Sequence, residues 1–391
     1  MLYIQNIENE IAADVILPEI TEYINEVLAY PFMEDGLDVI ETVAERLAKY
    51  DTLVVIGTGG SCIGAKTLTS LANADIHYAN SLDSHTVAET LAKLDLSKTG
   101  FLCVTKSGTT SETIALTLFY MNAVKEQLGA DAIAEHFIFI TTPTPSPFRK
   151  LGEKYGIITL DHDENLGGRF SVFSLVGLIP ALWAGLDIAA IRSGAMSMLY
   201  EIEKNGVKAK AIQGALWQYE YIKKGYNASV VMPYVDRLAT FTLWYRQIWA
   251  ESVGKDGKGS TPVNSIGTFD QHSQLQLYLD GAKDKVFTLF KLDDGKTEIP
   301  NMLDDEDISY IQNSTLEQLN NAHYTATATT LKNAGCSVRE MFFSSLDEEN
   351  IGALLMHFMV ETIVVARLMK VNPFDQPAVE DGKVLVRKFL K

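Results

Sequence analysis

The chain has 391 residues and a formal charge of −17, from 33 lysines and arginines against 50 aspartates and glutamates. Hydrophobic residues make up 47% of it, and that content with this length predicts two domains, each with its own core. The negative field excludes nucleic acid and anionic membrane as partners, so an anionic ligand must be met by a local cluster of cations.

Residues 1–35 read as an N-terminal arm. Its opening, MLYIQNIENEIAADV, lacks the basic stretch and apolar core of a signal peptide. An amphipathic helix follows over 36–50, with Leu37, Ile40, Val43, Ala44 and Leu47 on one face. Short apolar runs at 52–56, 75–79, 101–105, 137–142 and 157–160 then alternate with helical patterns at 64–72, 84–94, 110–128 and 146–155. Such alternation predicts an α/β fold with a doubly wound parallel sheet, here in a first domain over 36–185. Ligands of these sheets bind at the carboxyl ends of the strands.

Residues 170–186 are uncharged and mostly apolar, but they are barely long enough to cross a bilayer, contain Ser171 and Pro180, and end at Asp187. A buried helix is the expectation. A helical connection over 186–225 leads to a second alternating unit, 226–371. It has apolar runs at 228–234, 285–292 and 336–344 and expected helices at 236–251, 314–334 and 347–371. Residues 372–391 form a C-terminal segment. The three cysteines, Cys62, Cys103 and Cys336, make no CxxC pair and are odd in number, which points to a reducing cytoplasm.

Two loops carry the first chemical signal. Residues 54–66, VVIGTGGSCIGAK, break from an apolar run into Gly57, Gly59, Gly60 and Ser61, then turn helical. Residues 102–113, LCVTKSGTTSET, repeat the grammar with Thr105, Lys106, Ser107, Thr109 and Thr110. Small side chains let the backbone approach an anion, and the following helix aims free N–H groups and its positive dipole end at it. Ala65 stands where a Walker A lysine is required, and Cys62 where a dinucleotide loop needs its third glycine, so nucleotide binding is disfavoured. The other reading of the first loop is a strand-to-helix turn that serves packing alone. For the second it is a capping box of Thr109 and Glu112.

Gly167–Gly168–Arg169 precedes the apolar segment. An arginine at a helix start opposes the dipole and needs compensation, by an anion or by Asp161, Asp163 or Glu164. Glu251 falls near the end of an amphipathic run before Gly254. A helix C-terminus disfavours the charged carboxylate, which suits a base working near neutral pH, unless Arg246 or Lys255 pairs with it. His272 lies in a polar loop, FDQHSQLQ, and Lys383 follows Gly382 in NPFDQPAVEDGK. Taken singly, both read as ordinary surface residues.

In order along the chain, GTGGSCIGA, TKSGTTSET, GGRFSVFSLVGLIP, AESVGKDGKG, DQHSQLQ and NPFDQPAVEDGK resemble the motifs of the glucose-6-phosphate isomerase family, across roughly residues 36–385. The resemblance implies two flavodoxin-like sugar isomerase (SIS) domains and interconversion of glucose 6-phosphate and fructose 6-phosphate, without metal or redox cofactor. It implies that Glu251 is the base moving a proton between C2 and C1 through a cis-enediol, and that Arg169 stabilises the charge on that intermediate. Lys383 and His272 would assist ring opening, His272 being supplied by the other subunit of a homodimer. Gly59, Gly60, Ser61, Thr105, Lys106, Ser107, Thr110 and Gly168 would hold the substrate, with Glu112 joining them by motif position alone. Thr105 stands where the family usually has serine. Thr58 and Cys62 replace the usual isoleucine and aromatic or aspartate. The chain is also short for the family, with a trimmed N-terminal arm. Two other readings stand beside this one: an isomerase of mannose 6-phosphate or an amino-sugar phosphate, and a non-catalytic sugar-phosphate sensor, which would lack the base.

Overall fold

The computed structural model describes residues 3–7, 19–30, 32–33, 36–303, 305–312 and 314–390. Among these described residues ten strands form two sheets: β1 (Tyr3–Ile7), β2 (Thr52–Ile56), β3 (Ile76–Ala79), β4 (Thr99–Val104), β5 (Phe137–Thr141), β6 (Ile158–Asp161), β7 (Ala228–Pro233), β8 (Thr261–Asn264), β9 (Lys285–Leu292) and β10 (Ser337–Phe343). The first sheet is parallel throughout, in the order β3-β2-β4-β5-β6. The second runs β8-β7-β9-β10-β1. It is parallel except for β1, which pairs antiparallel with β10.

Within each unit, then, the first strand lies between the second and the third, the flavodoxin-like arrangement. Its topological switch in the first sheet is the gap between β2 and β4. The antiparallel edge corrects the expectation of purely parallel sheets. Five residues of the expected N-terminal arm cross over to close the second sheet. The remainder of that arm at 1–2, 8–18, 31 and 34–35 lies outside the described residues, as does Lys391 of the C-terminal segment. β8 is the other strand that the hydrophobic runs did not announce. It is four residues long and carries Pro262, so it reads as loop and is admitted at a sheet edge.

Strand periodicity sorts the core into layers. In β2, Leu53 and Val55 face an inner core, while Val54 and Ile56 join Phe101, Cys103, Phe137 and Phe139 in an outer one. The second sheet does the same. Val231, Phe290 and Met341 face inward, and Val230, Met232, Phe287, Leu289 and Val338 face outward. The two inner faces share one helical layer.

At the centre of that layer lies helix Glu348–Leu368, in which every residue from Asn350 to Ala366 is buried. Among the described residues it is the one helix long and apolar enough to cross a membrane, but its apolar stretch is spent on packing within the protein. It crosses helix Ile188–Asn205 so closely that a Cβ on Gly352 would lie 2.0 Å from the Ile191 carbonyl oxygen, and one on Gly194 1.8 Å from that of Glu349. Backbone contact of this kind requires glycine on both sides. The expected buried helix at 170–186 is also present, as a 3₁₀ turn, Gly168–Phe173, followed by helix Leu175–Trp183.

Helix Ala239–Val253 buries Trp244, Tyr245, Ile248 and Trp249 in the same layer. The direction of its axis matters for the site. It carries a charged residue of the second unit to the carboxyl ends of the strands of the first.

Candidate active site

The loops after β2 and β4 lie side by side at the switch point. Gly59–Ser61 forms a 3₁₀ turn leading into helix Ile63–Thr69. After β4, the Thr105 hydroxyl donates to Thr110 Oγ1 at 3.1 Å, and Ser107 Oγ accepts from the N–H of Thr109 at 3.2 Å. Thr110 stands at the N-cap of helix Ser111–Leu128 but makes no capping bond with its side chain. The capping box of Thr109 and Glu112 does not form. Glu112 accepts instead from Ser111 Oγ at 2.8 Å, apart from the hydroxyls of the loop. The first turn of this helix therefore presents N–H groups unclaimed by a capping side chain, beside a cluster of hydroxyls, which is a good cradle for a phosphate.

Lys106 is half-buried and donates to the carbonyls of Glu164 at 2.8 Å and Leu166 at 2.9 Å. Burial lowers its pKa, against the opposing pull of the Asp163 and Glu164 carboxylates. The segment it grips leads directly to Gly167, Gly168 and Arg169. That segment also meets the first loop, since a Cβ on Gly60 would lie 2.3 Å from the carbonyl carbon of Gly168 and 2.6 Å from Arg169 N.

Arg169 is 5% exposed. None of Asp161, Asp163 or Glu164 is its hydrogen-bonded partner; Asp161 pairs with Arg149 instead. Its Nε donates to Ser252 Oγ at 2.8 Å and its Nη1 to Gln376 Oε1 at 3.0 Å, while Nη2 donates to the carbonyls of Pro373 and Asp375. Nη1 also faces Glu251 Oε2 at 3.4 Å. Burial lowers the arginine's pKa, and the charge of Glu251 works against that shift.

Glu251 sits two residues before the end of its helix, with a side chain 29% exposed. Its other oxygen, Oε1, accepts from Gln247 Nε2 at 3.0 Å. Neither Arg246 nor Lys255 pairs with it. Arg246 contacts Asn264, and Lys255 pairs with Asp375 at 2.8 Å and donates to the Asn372 carbonyl. The result is a carboxylate fixed at both oxygens, next to a buried guanidinium, on a helix whose Gln247 lies against Gly59 of the first loop. Such a set can move a proton on a bound anion and hold the negative charge that the transfer creates.

The structure brings together Gly59, Gly60, Ser61, Thr105, Lys106, Ser107, Thr110, Gly168, Arg169 and Glu251. His272 and Lys383 remain apart from them. His272 follows the short helix Gly267–Asp270, and its side chain is exposed and makes no hydrogen bond or ion pair among the described residues. Lys383 lies on helix Glu380–Phe389, which has no buried residue, and pairs with Glu380 at 2.6 Å.

Gln247, Ser252 and Gln376 belong to the site, and sequence reading did not single them out. Gln247 had a detectable signal, being four residues before Glu251 and so on the same helical face. Ser252 and Gln376 had none, because their role depends on where Arg169 comes to rest.

The family model described as Phosphoglucose isomerase matches residues 25–285. A glucose-6-phosphate isomerase of Rubrobacter xylanophilus is 36% identical over 371 residues, covering 90% of this chain and 86% of the relative. One of Thermus thermophilus is 34% identical over 390 residues, covering 96% and 89%. Among solved structures, a hypothetical protein of Thermus thermophilus superposes with a TM-score of 0.89 at 31% identity, covering 95% of each chain. A glucose-6-phosphate isomerase from Chlamydia trachomatis gives 0.76 at 24% identity, covering 95% of this chain and 74% of that one, and shares the fold.

Proposed function

The chain belongs to the phosphoglucose isomerase family, and on that premise we propose how its residues interconvert glucose 6-phosphate and fructose 6-phosphate. The substrate phosphate sits in the hydroxyl and N–H cradle formed by Ser61, Thr105, Ser107, Thr110 and the start of helix Ser111–Leu128, with Lys106 beside it. The sugar extends toward Glu251. From the open aldose, Glu251 removes the proton on C2 and negative charge gathers on the C1 carbonyl oxygen; the O2 hydroxyl passes its proton to that oxygen, so the cis-enediol intermediate carries one negative charge throughout. Glu251 then returns its proton to C1 and O2 becomes the carbonyl oxygen of the ketose. No net proton or electron is exchanged with the surroundings.

Arg169 faces the oxygens on which negative charge gathers. Its support is a buried cation next to the base, fixed by acceptors from two segments of the chain distant in sequence. The observation that carries the reading is the joint fixing of Glu251 by Gln247 and Arg169, beside Gly59 of the first loop.

His272 and Lys383 serve ring opening, His272 from the second subunit of a homodimer. Its exposed, unpaired side chain supports that placement, as does the undocked helix that carries Lys383. All three cysteines are free thiols, which supports a reducing cytoplasmic setting.

The test is turnover of fructose 6-phosphate by purified protein treated with chelator, beside mannose 6-phosphate and an amino-sugar phosphate. Rapid formation of glucose 6-phosphate is the expected result. Absence of turnover, or dependence on added metal, would overturn the reading.

A further inference from the structure

The segment that carries Arg169 and the segment that accepts its hydrogen bonds are held together by a residue from outside both. Tyr30 follows helix Ile20–Ala29. Its hydroxyl accepts from the N–H of Gly167 at 3.3 Å. Its ring stacks on Phe374, with centroids 4.5 Å apart and planes 5° from parallel, and meets Phe170 edge-on at 5.5 Å.

Both aromatic partners adjoin the arginine. Phe170 lies under the Arg169 guanidinium at 5.2 Å. Phe374 is flanked by Pro373 and Asp375, whose carbonyls accept from Arg169. The stack is braced from behind. Arg367 lies over Phe374 at 5.7 Å and is paired through its Nε with Glu26 at 2.7 Å, on the same N-terminal helix.

We propose that Tyr30 is a positioning residue for Arg169, so that the N-terminal arm takes part in the chemistry without touching the substrate. The inference rests on the reading above that Arg169 faces the enediol oxygens. Stacked and edge-on aromatic pairs hold a defined geometry, and the hydroxyl adds a directional tie to the backbone two residues before the arginine. Without Tyr30 the segment before Arg169 loses its tie at Gly167 and the ring stacked on Phe374, and a misplacement of about 1 Å costs on the order of a hundredfold in rate. The proposed phosphate cradle lies on other loops, and among the described residues Tyr30 makes no hydrogen bond or ring contact with it. The proposal therefore separates the rate of the chemical step from binding of the phosphate.

The experiment uses Tyr30→Leu, which removes the ring face and the hydroxyl, and Tyr30→Phe, which removes the hydroxyl alone. Each is assayed for kcat and KM with fructose 6-phosphate. Each is also tested for inhibition by two unreactive compounds: a hexitol 6-phosphate, which offers the phosphate only, and an aldonate phosphate, whose planar carboxylate imitates the charged intermediate.

We expect Tyr30→Leu to lower kcat by about tenfold or more with KM changed less than about threefold. Affinity for the aldonate phosphate falls with kcat, and affinity for the hexitol phosphate is kept. Tyr30→Phe falls between this variant and the native protein. Unchanged kcat and unchanged inhibitor preference in folded Tyr30→Leu would overturn the proposal. So would equal loss of both inhibitors, which marks a general role in packing. If Tyr30→Leu does not fold, Tyr30→Phe decides, and native kcat and inhibitor preference in it would overturn the proposal. Arg169→Lys isolates the underlying reading. If it leaves kcat intact, that reading fails; if it loses kcat while both Tyr30 variants keep theirs, only the positioning role of Tyr30 fails.

Discussion

Gly60 and Gly168, 108 positions apart in sequence, meet backbone to backbone, so the loop after β2 and the loop carrying Arg169 form a single surface. The contact tolerates no side chain on Gly60. Gly60→Ala should push the two loops apart at a cost of about 1–3 kcal/mol in stability. Activity should fall further than stability explains, because Arg169 moves with its loop. Thermal unfolding and kcat, measured on the same sample, check both parts.

Glu251→Gln keeps the shape of the side chain and its contact with Gln247 but removes the base. Isomerisation should fall by about 10²–10⁴-fold, with sugar-phosphate affinity nearly unchanged. Near-native turnover in this variant would take the proton-transfer role away from Glu251.

Lys106 grips the carbonyls of Glu164 and Leu166 as well as bordering the cradle. A charge-assisted phosphate contact acts on ground state and transition state alike, so Lys106→Ala should raise KM by roughly ten- to a hundredfold. A fall in kcat larger than the rise in KM would show that its main task is to hold the Arg169 loop.

If His272 crosses between subunits, two dead variants can restore each other. In a mixed dimer of Glu251→Gln and His272→Ala, one site carries both defects and the other neither. Mixing the unfolded or dissociated variants and allowing reassembly should recover clear activity. A histidine acting within its own subunit predicts none, since every site would then keep one defect.

Stability toward acid should depend on Glu361, which is fully buried with Arg339 and His357. Burial alone would raise its pKa, but the Arg339 guanidinium and the His357 hydrogen bond outweigh that and hold the carboxyl at about 2, below its ordinary 4.5. A depressed carboxyl contributes stability that is complete above about pH 4.5 and lost as pH falls toward 2. His357, kept neutral by burial, acts in the same sense below its ordinary 6.5, since the unfolded chain takes up that proton first. Glu361→Gln should cost about 3–5 kcal/mol at neutral pH, by leaving Arg339 buried without a counter-charge. It should also flatten the acid limb of a denaturant-midpoint profile measured from pH 7 to 2.

Much of this was legible before folding. The runs forming β2, β4, β5, β7 and β9 are mostly apolar on both faces because both faces are covered, and such runs stand out in any window. The two loops proposed to cradle the phosphate stood out too, because glycine, hydroxyl and lysine at a strand end carry their chemistry locally. β1 was not. It is a short strand in an arm, and what makes it a strand is β10, more than 330 residues later. The surroundings of Arg169 were hidden for the same reason. Local acids suggested a local salt bridge, whereas its acceptors come from 251–252 and 373–376. Tyr30, at the end of a helix with no chemical motif around it, gave no local sign of its place.

Every hydrogen-bond acceptor of Arg169 other than Glu251 is electrically neutral: a serine hydroxyl, a glutamine amide oxygen and two peptide carbonyls. Four bonds to neutral groups therefore hold its orientation besides the contact with Glu251. On the proposed mechanism, the minus sign passes to the sugar oxygens when the base picks up its hydrogen and turns neutral, and the guanidinium exchanges one counter-ion for another from a fixed position. The site would then keep the same total electrostatic balance from start to finish, leaving the surrounding scaffold nothing to reorganise as the hydrogen travels.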